Sequence, residues 1–412
     1  MTDQNSGEET AYAGGMGTSF AHEARPERRF ATGAVRSGFR GDDMYGSINV
    51  PMYMSSTFVQ DDIGILRKGF EYARVGNPTV AALEGALAEH EDARHCRVVS
   101  SGTAAMDATL RSLLAPGDHM ILPNDVYGGT FRLVDVIYGK WGVEYSVVDM
   151  TDTDAVAAAI RPNTKVMWVE TPTNPMLSVA DITALSELVK DNEATLVVDN
   201  TFATPYLLRP LALGADVVVH SATKYLGGHS DVVGGAVLTN SDAIDEQIDF
   251  HRAAAGYNTG SLDAYLTLRG LRTLHVRMDR HCENAQRVAE FLDAHPLVEE
   301  VLYPGLPSHA GHEVAKRQMN GFGGMVSVRM AGGEAAARAL CTSTKEFMLA
   351  ESLGGVESLI EHPAGMTHLA AEESELAIPG DLVRISVGIE DIQDLLEDLE
   401  QGLNAVADQL AP

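Results

Sequence analysis

The chain has 412 residues, 45% of them hydrophobic and only 6% aromatic, a globular composition with length for roughly two to three domains. Its net charge of −28 repels phosphate, which argues against nucleic acid or an anionic membrane as a partner. Cys96, Cys282 and Cys341 lie too far apart for a CxxC metal site or a disulfide framework and read as buried thiols.

The opening "MTDQNSGEETAYAGGMG" is polar and acidic, without the basic start and apolar middle of a signal peptide, and no apolar run reaches the about 18 residues of a membrane span. The expectation is a cytoplasmic protein. Acidic residues spread over the whole length, and arginine far outnumbers lysine, a balance that suits a salt-rich, halophilic cytoplasm where charge is screened. Residues 1 to about 30 carry no periodicity and read as a mobile arm.

From about residue 80 the pattern alternates. "TVAALEGALAEHE" and "SGTAAMDATLRSLLA" have helical spacing of apolar residues. Between and after them come "HMILP", "VEYSVVDM", "KVMWVETP", "TLVVDN", "ADVVVHS" and "GGAVLTN", short apolar runs bounded by Pro, Asn, Asp or Gly. Apolar strands alternating with helices predict an α/β fold with a mainly parallel sheet covered on both faces, its ligands at the carboxyl ends of the strands. After one or two long helices in "SLDAYLTLRGLRTLHVRMDRHCENAQRVAEFLDAH" the pattern changes. The tail ends in the amphipathic "IEDIQDLLEDLEQGLNAVADQL", so the expected division is a large domain over 76–275 and a smaller α+β C-terminal domain over 276–412.

Two strand ends carry chemistry. "TLVVDN" ends in Asp199, and "ADVVVHSATK" leads to Lys224, one of only seven lysines, flanked by Ser221 and Thr223. A lysine desolvated at a strand end has a lowered pKa and can form a Schiff base; taken by itself it could equally be a lysine at the sheet rim. An aspartate beside it suits a protonated pyridine nitrogen, a pairing typical of pyridoxal phosphate chemistry. "VVSSGTAAMDATL" offers the phosphate a helix start at Ser101, Gly102 and Thr103, where free N–H groups and the dipole favour an anion. The glycine-rich "GGHSDVVGG" has neither dinucleotide nor P-loop spacing, and the His pair of "HAGH" has no third ligand nearby, so no metal is expected.

Together "YARVGNPT", "DVYGGTFR", "VETPTNP", "VVDNTFATP", "SATKYLGGHSDVVGG" and "LAESLGGVESLIEHPAGMTH" resemble the Cys/Met metabolism enzymes that use pyridoxal 5'-phosphate, from about residue 30 to the end. The resemblance implies a fold type I transferase of the aspartate aminotransferase kind, with Lys224 carrying the cofactor and Asp199 partnering its ring nitrogen. Tyr127 would stack on the ring and assist proton transfer, and Asn174 would contact the ring oxygen. Gly102, Thr103, Ser221 and Thr223 would hold the phosphate, and Ser352 and Arg384 the substrate's α-carboxylate.

Tyr72 and Arg74 match a pair that reaches a neighbouring subunit's site, which implies an arm over 1–75 and a homotetramer of two dimers. The wording is most similar to the family's cystathionine gamma-synthases, implying a γ-replacement that joins an O-activated homoserine to cysteine. γ-Elimination of cystathionine is the alternative. Methionine γ-lyases typically carry cysteine where this chain has Gly129, and homoserine sulfhydrylases are usually longer, so both are weaker matches. A nucleotide-binding oxidoreductase, or a family relative without catalysis, remains as a reading of another class.

Overall fold

A computed structural model describes residues 28–38, 44–190, 192–367 and 378–410; residues 1–27 of the expected arm lie outside them. The described chain begins with the helix Phe30–Arg36 and continues through a hairpin of β1 (Gln60–Asp62) and β2 (Ile65–Leu66). Along this stretch Ile48, Met54, Val59 and Ile63 are between 69% and 98% exposed, more apolar surface than scattered singletons account for.

The large sheet contains β3 (His95–Val99), β4 (His119–Pro123), β5 (Glu144–Val148), β6 (Thr164–Glu170), β7 (Thr195–Asp199), β8 (Val217–Ser221) and β9 (Gly235–Thr239). Their order is β3-β9-β8-β7-β6-β4-β5. β9 alone runs against its neighbours β8 and β3, so the sheet is mainly parallel, as its apolar runs predict. Both faces are buried: Val198 and Val218 point into one apolar cluster, Val197, Val217 and Val219 into another. β3 has no clean apolar run because Arg97 interrupts it. That arginine ion-pairs at 2.6 Å with Asp245 of the covering helix Asp242–Ala255, so a charge sits where pattern reading expects a hydrocarbon.

Both predicted helices start where their caps dictate. Asn77 accepts the Thr79 N–H ahead of Pro78–His90, and Ser101 accepts the Ala104 N–H ahead of Gly102–Leu113. The two long helices are Ser261–Leu271 and Leu274–Asp293. The second serves two cores. Its first turns bury Leu274 and Met278 beside the large sheet, and its later turns bury Val288 and Leu292 in a separate cluster.

That second cluster is built on β10 (Val298–Leu302), β11 (Met325–Met330), β12 (Met348–Leu349), β13 (Leu359–Glu361) and β14 (Leu382–Ser386), in the order β10-β11-β14-β13-β12. The tail therefore holds more buried strand than its pattern suggests. Its strands are short and unevenly spaced, and β13 and β14 carry the buried charges Glu361 and Arg384 in otherwise apolar runs.

Candidate active site

Strand ends bring the expected residues together. Asp199 closes β7 and is buried at 5% exposure; its carboxylate accepts the Thr201 N–H at 3.0 Å and has no ion-pair partner among the described residues. Burial pushes this carboxyl up, while the Thr201 bonds and nearby His220 pull it back. A buried acceptor of this kind, lacking a cation of its own, suits a protonated ring nitrogen.

Lys224 follows β8 by one turn, and its Nζ donates to Ser352 Oγ at 3.0 Å. Desolvation, then the charge of Arg384, lowers this amine to about 8 against the opposing pull of Glu361 and Glu351. An appreciable fraction is therefore neutral near physiological pH, the form that attacks an aldehyde and takes a proton.

The anion cradle is tight. A Cβ on Gly102 would lie 2.7 Å from Ser221 Cβ, and one on Gly235 would lie 2.1 Å from Ser101 O. Glycine at these two places lets the start of the helix, the end of β8 and the start of β9 converge, which is the role the glycine-rich run serves. The first N–H groups of that helix have no acceptor within it. Ser221 stands against the cradle, whereas the Thr223 hydroxyl is already engaged, donating to Gly234 O at 3.3 Å and accepting its N–H at 3.1 Å. Thr103 is exposed on the first turn, so its contribution is its backbone.

Arg384 reaches this site from the other sheet. It is 3% exposed; Nη1 donates to Asn174 Oδ1 at 2.8 Å and Nη2 to Ser352 O at 2.7 Å, while Glu361 lies 3.0 Å away as its counter-ion. Nε is buried with no partner among the described residues, a donor waiting for an acceptor. Burial pushes the Glu361 carboxyl up and Arg384 pulls it down. Ser352 takes both its contacts from a left-handed backbone with φ of 95°, a strained conformation for a non-glycine residue.

Tyr127 is half-buried, with burial raising its phenol above the ordinary value, so it keeps its proton near neutrality. Gly129 lies against its ring: a Cβ there would sit 2.3 Å from Tyr127 Cε1. Asn174 is buried, and with Oδ1 taken by Arg384 its NH2 group is the donor left over.

Tyr72 and Arg74 are not gathered with the rest within one chain. Tyr72 is 47% exposed, and Arg74 donates to Ala253 O at 2.5 Å. Sequence reasoning passed over Thr201, Glu170 and Glu361. Thr201 ties the two strand ends, giving its N–H to Asp199 and accepting that of Ser221 at 2.8 Å. It sits in the quoted "VVDNTFATP", but nothing in its spacing marks it. Among the described residues there is no cluster fit to hold a metal and no helix long and apolar enough to cross a membrane.

A depressed buried amine, an unpaired buried carboxyl and a helix start closed on a serine together fit pyridoxal phosphate, whose aldehyde, ring nitrogen and phosphate need those three partners. Comparison with known proteins agrees. The chain is 62% identical over 373 residues to the cystathionine gamma-synthase of Mycobacterium tuberculosis, covering 90% of this chain and 96% of that one. A crystal structure of MetB from Corynebacterium glutamicum superposes with a TM-score of 0.91 at 59% identity, covering 92% and 98%. A cystathionine gamma-lyase from Lactobacillus plantarum, solved with L-serine, gives 0.89 at 43%, covering 92% and 99%. The model of the Cys/Met metabolism PLP-dependent enzymes matches residues 31–404, and with the site's donor set this places the chain in that family.

Proposed function

We propose that this chain joins an O-activated homoserine, bearing an acetyl, succinyl or phospho group, to cysteine and so forms cystathionine. The observation that carries the amino-acid reading is Arg384: its Nε is buried without a partner among the described residues, a donor a substrate carboxylate would take, while Nη2 and Ser352 link it to Lys224. A planar guanidinium grips a carboxylate in a fixed geometry, which sets the substrate's α-carbon relative to the amine. The 62% likeness to a gamma-synthase supports the choice of γ-replacement. The glycine at 129, pressed on the Tyr127 ring, supports it against methionine γ-lyase chemistry, where the larger residue would have to displace that ring.

When bound, pyridoxal phosphate supplies a sink for electrons released at the α and β carbons of an amino acid. The chain's own groups do the rest. Asp199 would hold the proton of the ring nitrogen, and the Asn174 NH2 group would donate to the ring oxygen. Ser221 and the N–H groups of Gly102 and Thr103 would bind the phosphate, with Thr223 fixing the turn through Gly234. Lys224 would take the proton from the α carbon and then serve at the β carbon, and Tyr127, a phenol near neutrality, would give its proton to the departing group and, as phenolate, take the proton of the incoming thiol.

Exposed Ile48, Met54, Val59 and Ile63 support burial of the 1–75 arm against a second copy, with Tyr72 and Arg74 completing that copy's phosphate site. The division into 76–275 and 276–412 and the assembly as a homotetramer belong to the same reading. So do a cytoplasmic location and a halophilic origin, supported by the net charge of −28. Stability that fails to rise from low to molar salt removes the halophilic part.

The deciding assay gives purified protein O-acetyl- or O-succinylhomoserine with cysteine, and separately cystathionine alone. Faster formation than cleavage of cystathionine is expected. Faster cleavage assigns the chain to γ-elimination, the alternative that likeness to the Lactobacillus plantarum lyase favours.

A further inference from the structure

Glu170 ends β6, is 5% exposed, and has no place in the chemistry above. Its two oxygens point to two different loops. Oε2 accepts the N–H of Tyr127, on the loop after β4, at 3.1 Å; Oε1 accepts the N–H of Asn174, on the loop after β6, at 2.7 Å. The parallel register of β6 and β7 sets Glu170 beside Asp199, so a second carboxyl stands on the same sheet face as the first. Burial, and then the charge of Asp199, push the Glu170 carboxyl well above the usual range.

Keeping a second acid so near the first costs stability, and a neutral loop tie would avoid that cost. Loop folding does not demand the carboxylate. Thr173 Oγ1 already joins the two loops by donating to Asp125, two residues before Tyr127, at 2.5 Å, and Ser327 Oγ holds the second loop from the other sheet by donating to Pro175 O at 2.6 Å. What the carboxyl group does is offer each loop an oxygen of its own, whereas a glutamine in the same place would turn its NH2 group towards one of the two N–H groups. Asn174 passes the constraint on, accepting from Arg384, which holds Ser352, which holds Lys224.

We propose that Glu170 is the positioning residue that fixes Tyr127 and Asn174 relative to one another, and through Asn174 the Arg384 to Lys224 line. It touches neither substrate nor cofactor; it sets where the ring-stacking phenol and the ring-oxygen donor stand. This rests on the proposed roles of Tyr127 and Asn174 at pyridoxal phosphate.

The test titrates pyridoxal phosphate into cofactor-stripped wild type, Glu170→Gln and Glu170→Leu, each held below its own melting temperature. Affinity is read from tryptophan fluorescence, and ring orientation from visible circular dichroism. Glu170→Gln, losing one of the two N–H bonds, should weaken binding about tenfold and diminish the visible dichroism, with Glu170→Leu weaker still. Asp398→Asn is the structural control. Asp398 accepts the N–H groups of Lys345, Glu346 and Phe347 and bonds no residue of the site, so its loss should lower the melting temperature and leave affinity and dichroism unchanged. One folded Glu170 variant suffices. If it matches wild type in affinity and dichroism, or if Asp398→Asn reproduces its changes, the assignment of Glu170 falls while the site stands. If wild type itself develops no visible band, the pyridoxal phosphate reading falls and takes this proposal with it.

Discussion

The two sheets bring different kinds of group to the site. On the large-sheet side the groups are a helix start, a serine, an amine depressed to about 8 and a carboxyl with no cation beside it. On the small-sheet side stands a buried ion pair, Arg384 with Glu361, whose cation has one donor to spare. The first side supplies shape and neutral or half-charged donors and leaves the charge to the cofactor. The second keeps a positive charge in the protein, balanced by Glu361, and on the proposed reading an incoming carboxylate would meet a guanidinium already desolvated. Losses on the first side should therefore appear in cofactor binding and on the second in substrate binding.

Lys224→Ala tests the first side hardest. Activity should fall at least about 10³-fold, and the visible band of the loaded protein should vanish, both read by assay and absorbance. Arg384→Ala comes next, with kcat/KM falling about 10²- to 10³-fold, mostly through KM, while the visible band persists; a lost band there would merge the two sides. Asp199→Asn should lower kcat about 10²-fold and shift the band's pH response with KM nearly unchanged, measured by steady-state kinetics and spectral titration. Gly129→Ala, which crowds Tyr127 without touching Lys224, should cost about tenfold in kcat/KM, checked by kinetics with both substrates.

The smallest effect is on stability without cofactor. The folded Lys224 amine titrates at about 8 against an ordinary 10.5, so between those values the unfolded chain binds more protons and stability rises with pH. Below about 8 the folded state carries the whole cost of a buried ammonium. Lys224→Met should then stabilise the cofactor-free protein by roughly 2 kcal/mol near pH 7, an advantage that fades as pH climbs towards 10.5. Equal melting temperatures at pH 7 would mean the amine is better solvated than its burial implies.

The same division governs what the sequence disclosed. Asp199, Ser221 and Lys224 close or follow apolar runs that read as strands, so their convergence follows from the rule that parallel sheets gather ligands at strand ends. Arg384 and Ser352 were reached through resemblance. Nothing in "DLVRISVGIED" or "AESLGG" says that an antiparallel register pairs Arg384 with Glu361 across β13 and β14. Glu170 and Thr201 were hidden for a related reason: Glu170 accepts the backbone N–H groups of two loops and Thr201 that of Ser221, and backbone partners leave no trace in residue type. β3 escaped because its arginine is answered by an aspartate nearly 150 positions on, a compensation visible only in three dimensions.

Arg384 also has a place in time. It lies on β14, the last of the described strands in chain order, followed among the described elements by the helix Ile392–Leu410. Units nearer the start of a chain fold first during synthesis, and the large sheet is complete at Thr239. A copy cut short before Leu382 would thus carry all seven strands of the large sheet with Asp199, Ser221 and Lys224, but not the guanidinium that the proposed reading sets against the substrate's carboxylate.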